Sequence, residues 1–243
     1  MKPQHNKDGN SDSNIEQNRE LVVLVHGIWM TGLEMSLLAF RLRSAGFNTE
    51  RFFYHSLFST PAQNADSLYR FLQKQQAETI HLVAHSLGGV VLLHLFDKYA
   101  EITDGRAVLL GSPVQGSGVA KRLNSAFITR GLIGRSGEQG LLGGAPEWRG
   151  GRDLGVIAGS SGFGVGDIVG GLDGPGDGTV SLTETCLQGA SDYSQIPVSH
   201  TGMIVSKAVA TEVISFLQTG RFSGRYAVSA KNRENLCSDK APK

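Results

Sequence analysis

The chain has 243 residues with a formal net charge of +1, and 40% of its residues are hydrophobic while 19% are charged. These values are typical of a globular protein with a single core. So small a charge, without long basic runs, excludes a strong electrostatic attraction to nucleic acid or anionic lipid. The first twenty residues lack the apolar segment of a signal peptide, and no stretch is apolar and long enough for an integral membrane segment. The sequence therefore predicts a cytoplasmic protein with no nucleic-acid partner.

Short β-branched runs alternate with longer helical stretches along most of the chain. In chain order, strands are predicted at residues 21–25, 47–54, 79–84, 107–110, 154–158 and 193–198. Helices are predicted between them or after them at residues 33–45, 61–76, 87–99 and 203–218. In the first helix, Leu33, Leu37, Leu38 and Leu42 are expected to share one buried face. The alternation predicts a mostly parallel sheet with crossover helices.

Three regions depart from this pattern. Residues 1–19 and 223–243 are polar and are predicted to be disordered tails, which leaves residues 20–222 as one domain. Residues 131–178 hold 18 of the 32 glycines, and we expect them to form a mobile surface excursion.

The two cysteines, Cys186 and Cys237, are far apart in the sequence. One such pair provides neither a disulfide framework nor the spacing of metal ligands. We therefore predict two unpaired thiols and no metal site. His81 and His85 share a strand face, and without nearby carboxylates or cysteines they are interpreted as core or supporting residues.

The run Ala84-His85-Ser86-Leu87-Gly88-Gly89 lies between a predicted strand and a predicted helix. A nucleophilic serine can occupy a strained strand-to-helix turn, which lifts its hydroxyl clear of the sheet. Small residues are needed on both sides, because the helix and the strand approach closely there. Gly88 meets this need, and Ala84 stands where the G-x-S-x-G motif has glycine. The alternative is an ordinary turn in which Ser86 only caps the helix.

A second signal is the apolar strand that ends in His26-Gly27-Ile28. In hydrolases with a serine turn of this kind, the loop after that strand supplies one backbone N–H to an oxyanion hole. The residue after the nucleophile supplies the other. This nominates the N–H groups of Ile28 and Leu87. His26 precedes the serine, which is the wrong order for a base, so we interpret it as a structural residue.

Only two of the seven histidines, His94 and His200, follow Ser86. His94 lies within the predicted helix and cannot reach back to the serine. His200 lies in the loop between the last strand and the last helix, where the base belongs in the order serine, acid, histidine.

The acid is predicted among Asp167, Asp173 and Asp177, which all follow the strand at residues 154–158. Asp177 lies in Gly176-Asp177-Gly178-Thr179-Val180, whereas Asp173 belongs to an ordinary turn before a proline. We favour Asp177 and keep Asp173 as the alternative.

Four motifs in this order, LVVLVHGIW, AHSLGG, GDGTV and PVSHTGM, resemble those of α/β-hydrolase lipases and esterases. The ending, from GDGTV to PVSHTGM, is especially similar to compact bacterial lipases with a minimal lid. The resemblance as a whole extends over about residues 21–218, with the motif-level match confined to the four motifs. It implies an α/β-hydrolase fold with a mostly parallel sheet and helices on both faces. The glycine-rich excursion before Asp177, and Ala84 in place of glycine, depart from the family pattern. The resemblance also implies Ser86 as nucleophile, His200 as base and Asp177 as orienting acid. Ile28 and Leu87 match the positions of the oxyanion donors.

The activity that the resemblance implies is hydrolysis of a carboxylic ester through an acyl-enzyme, without a cofactor. The expected partner is a small or lipid-like acyl substrate. An acyltransferase or a thioesterase would use the same residues with another acceptor or leaving group. A binding module that holds a ligand without turnover is the alternative from another class. Because the excursion scatters its apolar residues among glycines, we expect short to medium acyl chains and no rigid lid.

Overall fold

The structure is a computed structural model that describes residues 20–99, 101–162 and 164–238. The described strands are β1 (Glu20–Val25), β2 (Asn48–Phe52), β3 (Thr79–His85), β4 (Ala107–Leu110), β5 (Leu154–Gly159) and β6 (Asp192–Ile196). They form one parallel sheet in the order β2-β1-β3-β4-β5-β6. The parallel sheet predicted from the sequence is confirmed. The tail predicted at residues 1–19 lies outside the described residues.

The described helices are α1 (Ser36–Ser44), α2 (Pro61–Leu72), α3 (Leu87–Lys98), α4 (Gly118–Ser125), α5 (Val165–Val169), α6 (Lys207–Thr219) and α7 (Ala230–Ser238). Two predicted helices begin later than expected, because the 3₁₀ turns Leu33–Met35 and Thr201–Ile204 precede α1 and α6. Leu38 and Leu42 are buried as predicted, whereas Leu33 and Leu37 are exposed. Leu33 lies in the 3₁₀ turn, which has three residues per turn and is therefore out of phase with the stripe of α1. Leu37 lies in α1 beside the buried positions Leu38, Ala39 and Leu42.

Helices cover both faces of the sheet. α2 and α3 pack on one face through residues such as Leu68 and Leu92, and α1 and α6 pack on the other through Leu38 and Phe216. Residues 21–25 of β1 are all buried, as expected for a parallel strand covered on both faces. The start of α2 is fixed by Thr60, whose side chain forms a capping box with Gln63. No described helix is long and apolar enough to cross a membrane.

The glycine-rich excursion is attached to α3 more firmly than the sequence suggests. Ile133 and Leu141 are buried in an apolar cluster with Leu87 at the start of α3. Farther along that helix, His94 Nε2 lies 2.6 Å from the carbonyl oxygen of Gln139, within hydrogen-bond distance. A packed cluster and a partly buried hydrogen bond therefore hold the excursion against the helix that begins next to Ser86.

The prediction of two unpaired thiols is wrong. Cys186 and Cys237 form a disulfide, with their Cα atoms 5.4 Å apart. The pairing is invisible in the sequence, because the fold alone brings α7 to the connection between β5 and β6.

The segment after residue 222 also has more structure than the predicted polar tail. The carbonyl of Tyr226 accepts a hydrogen bond from the Gln195 N–H at 2.9 Å, and the Val228 N–H donates to the Tyr193 carbonyl at 3.3 Å. These contacts lay the segment along β6 before α7 begins. The domain bounds of residues 20–222 stay a prediction.

Candidate functional site

Ser86 occupies the turn from β3 to α3 with φ 55° and ψ −123°. Residues with side chains rarely adopt this conformation, so the turn is strained. The Ser86 N–H donates to the carbonyl of Leu110 in β4 at 2.9 Å, which helps to hold the turn. A Cβ atom at Gly88 would lie 2.5 Å from the carbonyl oxygen of Val25. The helix therefore approaches β1 so closely that a glycine is required, while Ala84 is accommodated within the buried β3.

His200, Ser86 and Asp177 lie in a hydrogen-bonded series. His200 Nε2 is 3.0 Å from Ser86 Oγ, and His200 Nδ1 is 2.7 Å from Asp177 Oδ2. The other oxygen of Asp177 accepts the N–H groups of Thr179 at 3.0 Å and Val180 at 2.7 Å. The backbone of the Asp177 turn thus fixes one carboxylate oxygen and leaves the other for the imidazole. Such a series can move the serine proton to the imidazole while the carboxylate holds the ring.

The alternative acids and bases lie elsewhere. Asp173 is exposed in the turn before Asp177, and the Asp167 carboxylate accepts the N–H of Gly164 at the start of α5. His94 bonds to the excursion, as described above. Of the sequence-predicted candidates, the structure brings together Ser86, His200 and Asp177.

The loop after β1 lies against the serine. A Cβ atom at Gly27 would be 3.0 Å from the Ser86 Cβ, which places Ile28 next to the turn. Leu87 is the first residue of α3, where backbone N–H groups have no acceptor within the helix. Ile28 packs on the same apolar cluster that contains Leu87. Two N–H groups from different elements beside a serine can stabilise an oxyanion.

Comparison with known proteins identifies the family of the chain. A family model described as the alpha/beta hydrolase family matches residues 22–205, which is more than half of the chain. The chain belongs to the alpha/beta hydrolase family. No curated protein has a significant sequence match to this hydrolase.

Among solved structures, the hydrolase is similar to phospholipase PlaB from Legionella pneumophila, with 16% identity, a TM-score of 0.65, and coverage of 89% of this chain and 61% of that chain. It is also similar to a metagenomic carboxyl esterase, with 16% identity, a TM-score of 0.61, and coverage of 92% and 77%. A thermophilic esterase from Thermogutta terrifontis is similar as well, with 13% identity, a TM-score of 0.58, and coverage of 83% of this chain and 90% of that chain. The hydrolase spans less than two thirds of the phospholipase. At these identities the similarity shows the fold alone.

His26 supports the loop after β1 in this hydrolase. Its buried ring stacks on Tyr54 with 4.2 Å between ring centroids. Nε2 accepts the Tyr54 N–H at 3.4 Å, so Nδ1 carries the proton and donates to the Gly27 carbonyl at 2.8 Å. Burial lowers the pKa of His26, which keeps the ring neutral. These contacts agree with the interpretation of His26 as a structural residue.

His85 directly contacts His200, one of the catalytic candidates. The sequence had indicated only a core or supporting role for His85. Its Nε2 lies 3.1 Å from the carbonyl oxygen of His200, and the two rings are 4.7 Å apart. Burial, with a smaller contribution from His200, lowers the pKa of His85 to about 3. His85 therefore stays neutral and can donate to the loop that carries His200. Its place directly before the serine was the available sequence signal.

Glu184 was missed by the sequence reasoning. One carboxylate oxygen accepts the N–H of Ser181 at 2.8 Å, and the other accepts the N–H of Gly118 at the start of α4. Burial raises the pKa of this carboxyl. Glu184 thus joins the segment that follows the Asp177 turn to the start of α4. The spacing Ser181-x-x-Glu184, which is that of a capping box, could have indicated the local half of this arrangement.

The described residues contain no group of three or more histidine, cysteine, aspartate or glutamate side chains that could hold a metal ion.

Proposed function

We propose that this hydrolase cleaves carboxylic esters, with Ser86 as nucleophile, His200 as general base and Asp177 as the orienting acid. The observation that carries the proposal is the hydrogen-bonded series itself, 3.0 Å from serine to imidazole and 2.7 Å from imidazole to carboxylate. The carboxyl esterase and phospholipase names of the structural neighbours support an ester as the substrate class.

In the proposed reaction, Ser86 Oγ attacks the ester carbonyl and its proton passes to His200 Nε2. Asp177 accepts the hydrogen bond of His200 Nδ1–H and so stabilises the imidazolium. The N–H groups of Ile28 and Leu87 donate to the oxyanion, and loss of one such donor typically costs about 10²–10³-fold in rate. The alcohol leaves with the proton from His200. Water then releases the acyl group from Ser86 by the same route.

An apolar acyl group fits the surroundings of the proposed oxyanion donors. Ile28, Leu142 and Leu172 are partly buried against the apolar cluster that contains Leu87. Such side chains can form one wall of an acyl site. We propose a small or lipid-like acyl ester of short to medium chain length as the substrate, with no cofactor in the reaction.

The test combines labelling and turnover. An alkyl fluorophosphonate should modify Ser86, and acyl esters should be hydrolysed in a panel that also contains thioesters and amides. Ser86→Ala should lose at least about 10³-fold in kcat because the nucleophile is absent. It should unfold at the wild-type temperature, and Ser44→Ala, which changes an exposed serine, should keep full activity. Near wild-type turnover by Ser86→Ala would refute the proposal, and faster thioester cleavage would redirect it to a thioesterase.

The Cys186–Cys237 disulfide bears on the cellular location. The predicted cytoplasmic location conflicts with it, because reducing systems keep cytosolic thiols unpaired while oxidising compartments preserve disulfides. We therefore propose that the hydrolase works in an oxidising compartment. Protein taken from its native cells under acid-quenched conditions should resist thiol labelling until reductant is added. Immediate labelling of both cysteines would support the cytoplasm instead.

A further inference from the structure

Trp29 has a backbone conformation that a bulky residue rarely adopts. Its φ is 61°, and among the described residues only Trp29, Ser86 and Gln139 are non-glycine residues with positive φ. Left-handed backbone disfavours a large side chain, so it persists where other contacts hold it. Trp29 directly follows Ile28, the proposed oxyanion donor. Trp29 and Ser86 therefore place strained backbone in the two turns that flank the proposed reaction centre, while Gln139 lies in the excursion.

Two hydrogen bonds hold Trp29 in place. Its backbone N–H donates to Ser56 Oγ at 3.2 Å, and its indole Nε1–H donates to the carbonyl of Leu132 at 2.8 Å. Leu132 ends the 3₁₀ turn Arg130–Leu132 of the glycine-rich excursion. The indole contact thus joins the loop after β1 to a segment that lies 103 residues farther along the chain.

The same part of the excursion reaches the second proposed oxyanion donor. Ile133 follows Leu132 and is buried in the cluster with Leu87. The Arg135 N–H donates to the carbonyl of Leu57 at 2.9 Å, one residue after the serine that binds the Trp29 backbone. The excursion is therefore fixed to the surroundings of both donors, and one of these contacts comes from the indole of Trp29, a residue that is 47% exposed.

We propose that Trp29 is a positioning residue for the esterase reaction, whose indole N–H holds the excursion against the oxyanion loop. This inference rests on the proposed function. The contact sets the position of the Ile28 N–H relative to Ser86 and, through the excursion, the wall against which the acyl chain lies. Loss of the indole N–H lowers turnover and weakens the discrimination between acyl chain lengths.

Variants separate the side chain from the backbone. Trp29→Phe keeps an aromatic ring and removes the donor. Its kcat should fall about 2- to 10-fold, the change in rate that corresponds to the free energy of one hydrogen bond. KM for an acetyl ester should change less than kcat. Trp29→Gly adopts positive φ without strain, and it should lose at least as much turnover as Trp29→Phe. Trp148→Phe is the matched control, since Trp148 packs edge-on against Phe96. Wild-type kcat in Trp29→Phe would overturn the proposal.

A spectroscopic test needs no change at Trp29. The chain has two tryptophans, so Trp148→Phe leaves Trp29 as the only one. The fluorescence emission of Trp29 should shift when an octyl fluorophosphonate modifies Ser86, because the octyl chain would lie against the wall that the excursion forms. Unchanged emission after complete labelling would overturn the proposal and leave the proposed function standing. Failure of Ser86 to label in the wild-type protein would instead overturn the proposed function.

Discussion

At the scale of single residues, the hydrogen bonds of Asp177 predict what its amide counterpart would do. The Thr179 and Val180 N–H groups need an acceptor, so the amide oxygen of an Asp177→Asn variant would turn toward them. The amide NH₂ would then face His200 Nδ1 and favour the tautomer with its proton on Nε2. That proton blocks acceptance of the serine proton, and kcat should fall about 10³–10⁴-fold.

Asp173→Asn is the matched control, because its side chain is exposed, and it should keep wild-type kcat. Steady-state kinetics with a soluble ester measures both variants. A greater loss for Asp173→Asn than for Asp177→Asn would move the acid to Asp173.

The same residues show what a sequence can predict about a site. Ser86 could be nominated as a candidate from the sequence because its neighbours on both sides must be small, which is a local requirement. His200 could be nominated because the order of residues in the chain left one candidate. The contact of His85 with the His200 carbonyl spans 115 residues, and that of Glu184 with Gly118 spans 66. No local pattern encodes such pairs, since they form only when the strand ends meet.

At the scale of elements, Gly118 at the start of α4 and Gly131 in the excursion should respond differently to one added methyl group. A Cβ atom at Gly118 would collide with the carbonyl oxygen of Gly171, whereas a Cβ at Gly131 would meet nothing within 4 Å. Gly118→Ala should lower the free energy of unfolding by about 1–3 kcal/mol, because α4 must move away from its neighbour. Gly131→Ala should change it by less than about 0.5 kcal/mol. Urea unfolding compares the two, and equal losses would contradict this account of the packing.

The elements themselves were predictable to different degrees. Buried parallel strands are continuous apolar runs, and β4 has its predicted bounds, Ala107–Leu110. The starts of α1 and α6 were misplaced, because apolar periodicity does not distinguish a 3₁₀ turn from the first turn of a helix. The attachment of the excursion was hidden too. Glycine composition suggested mobility, but buried Ile133 and Leu141 depend on a partner surface elsewhere in the chain.

At the scale of the whole molecule, buried histidines should make the fold sensitive to acid. Burial lowers the pKa of His26, His81 and His85, the last to about 3. Below the unfolded value of about 6.5, the unfolded chain binds protons that the folded chain does not. The free energy of unfolding should therefore be greatest above about pH 6.5 and fall toward pH 5. Glu184, whose pKa is raised by burial, has the opposite effect on the free energy of unfolding, but it is one group against three histidines.

Urea unfolding at pH 8, 6.5 and 5 measures this dependence. His81→Gln retains an acceptor for the Arg106 N–H and should give a shallower decline. His55→Gln, at an exposed position, should leave the slope unchanged. An increase in stability between pH 7 and pH 5 would contradict the prediction.

The Cys186–Cys237 bond should contribute to global stability, because it closes a segment of 51 residues that contains β6 and α6. Cross-links of this kind are typically worth about 2–4 kcal/mol. Reductant should therefore lower the unfolding temperature of the wild-type protein and leave that of a Cys186→Ser/Cys237→Ser variant unchanged. If reductant leaves the wild-type unfolding temperature unchanged, the disulfide does not contribute to global stability.

The same covalent loop affects how the protein responds to cleavage of its main chain. Arg221 and Arg225 are exposed between α6 and α7, where a protease specific for arginine can reach the backbone. A cut there separates β6, His200 and α6 from α7 in sequence, but Cys186 and Cys237 lie on opposite sides of it. The nicked chain therefore stays one molecule, which migrates intact on a gel without reductant and as two fragments with it. Because the cut falls after His200, the nicked hydrolase keeps its proposed catalytic residues on a single fragment.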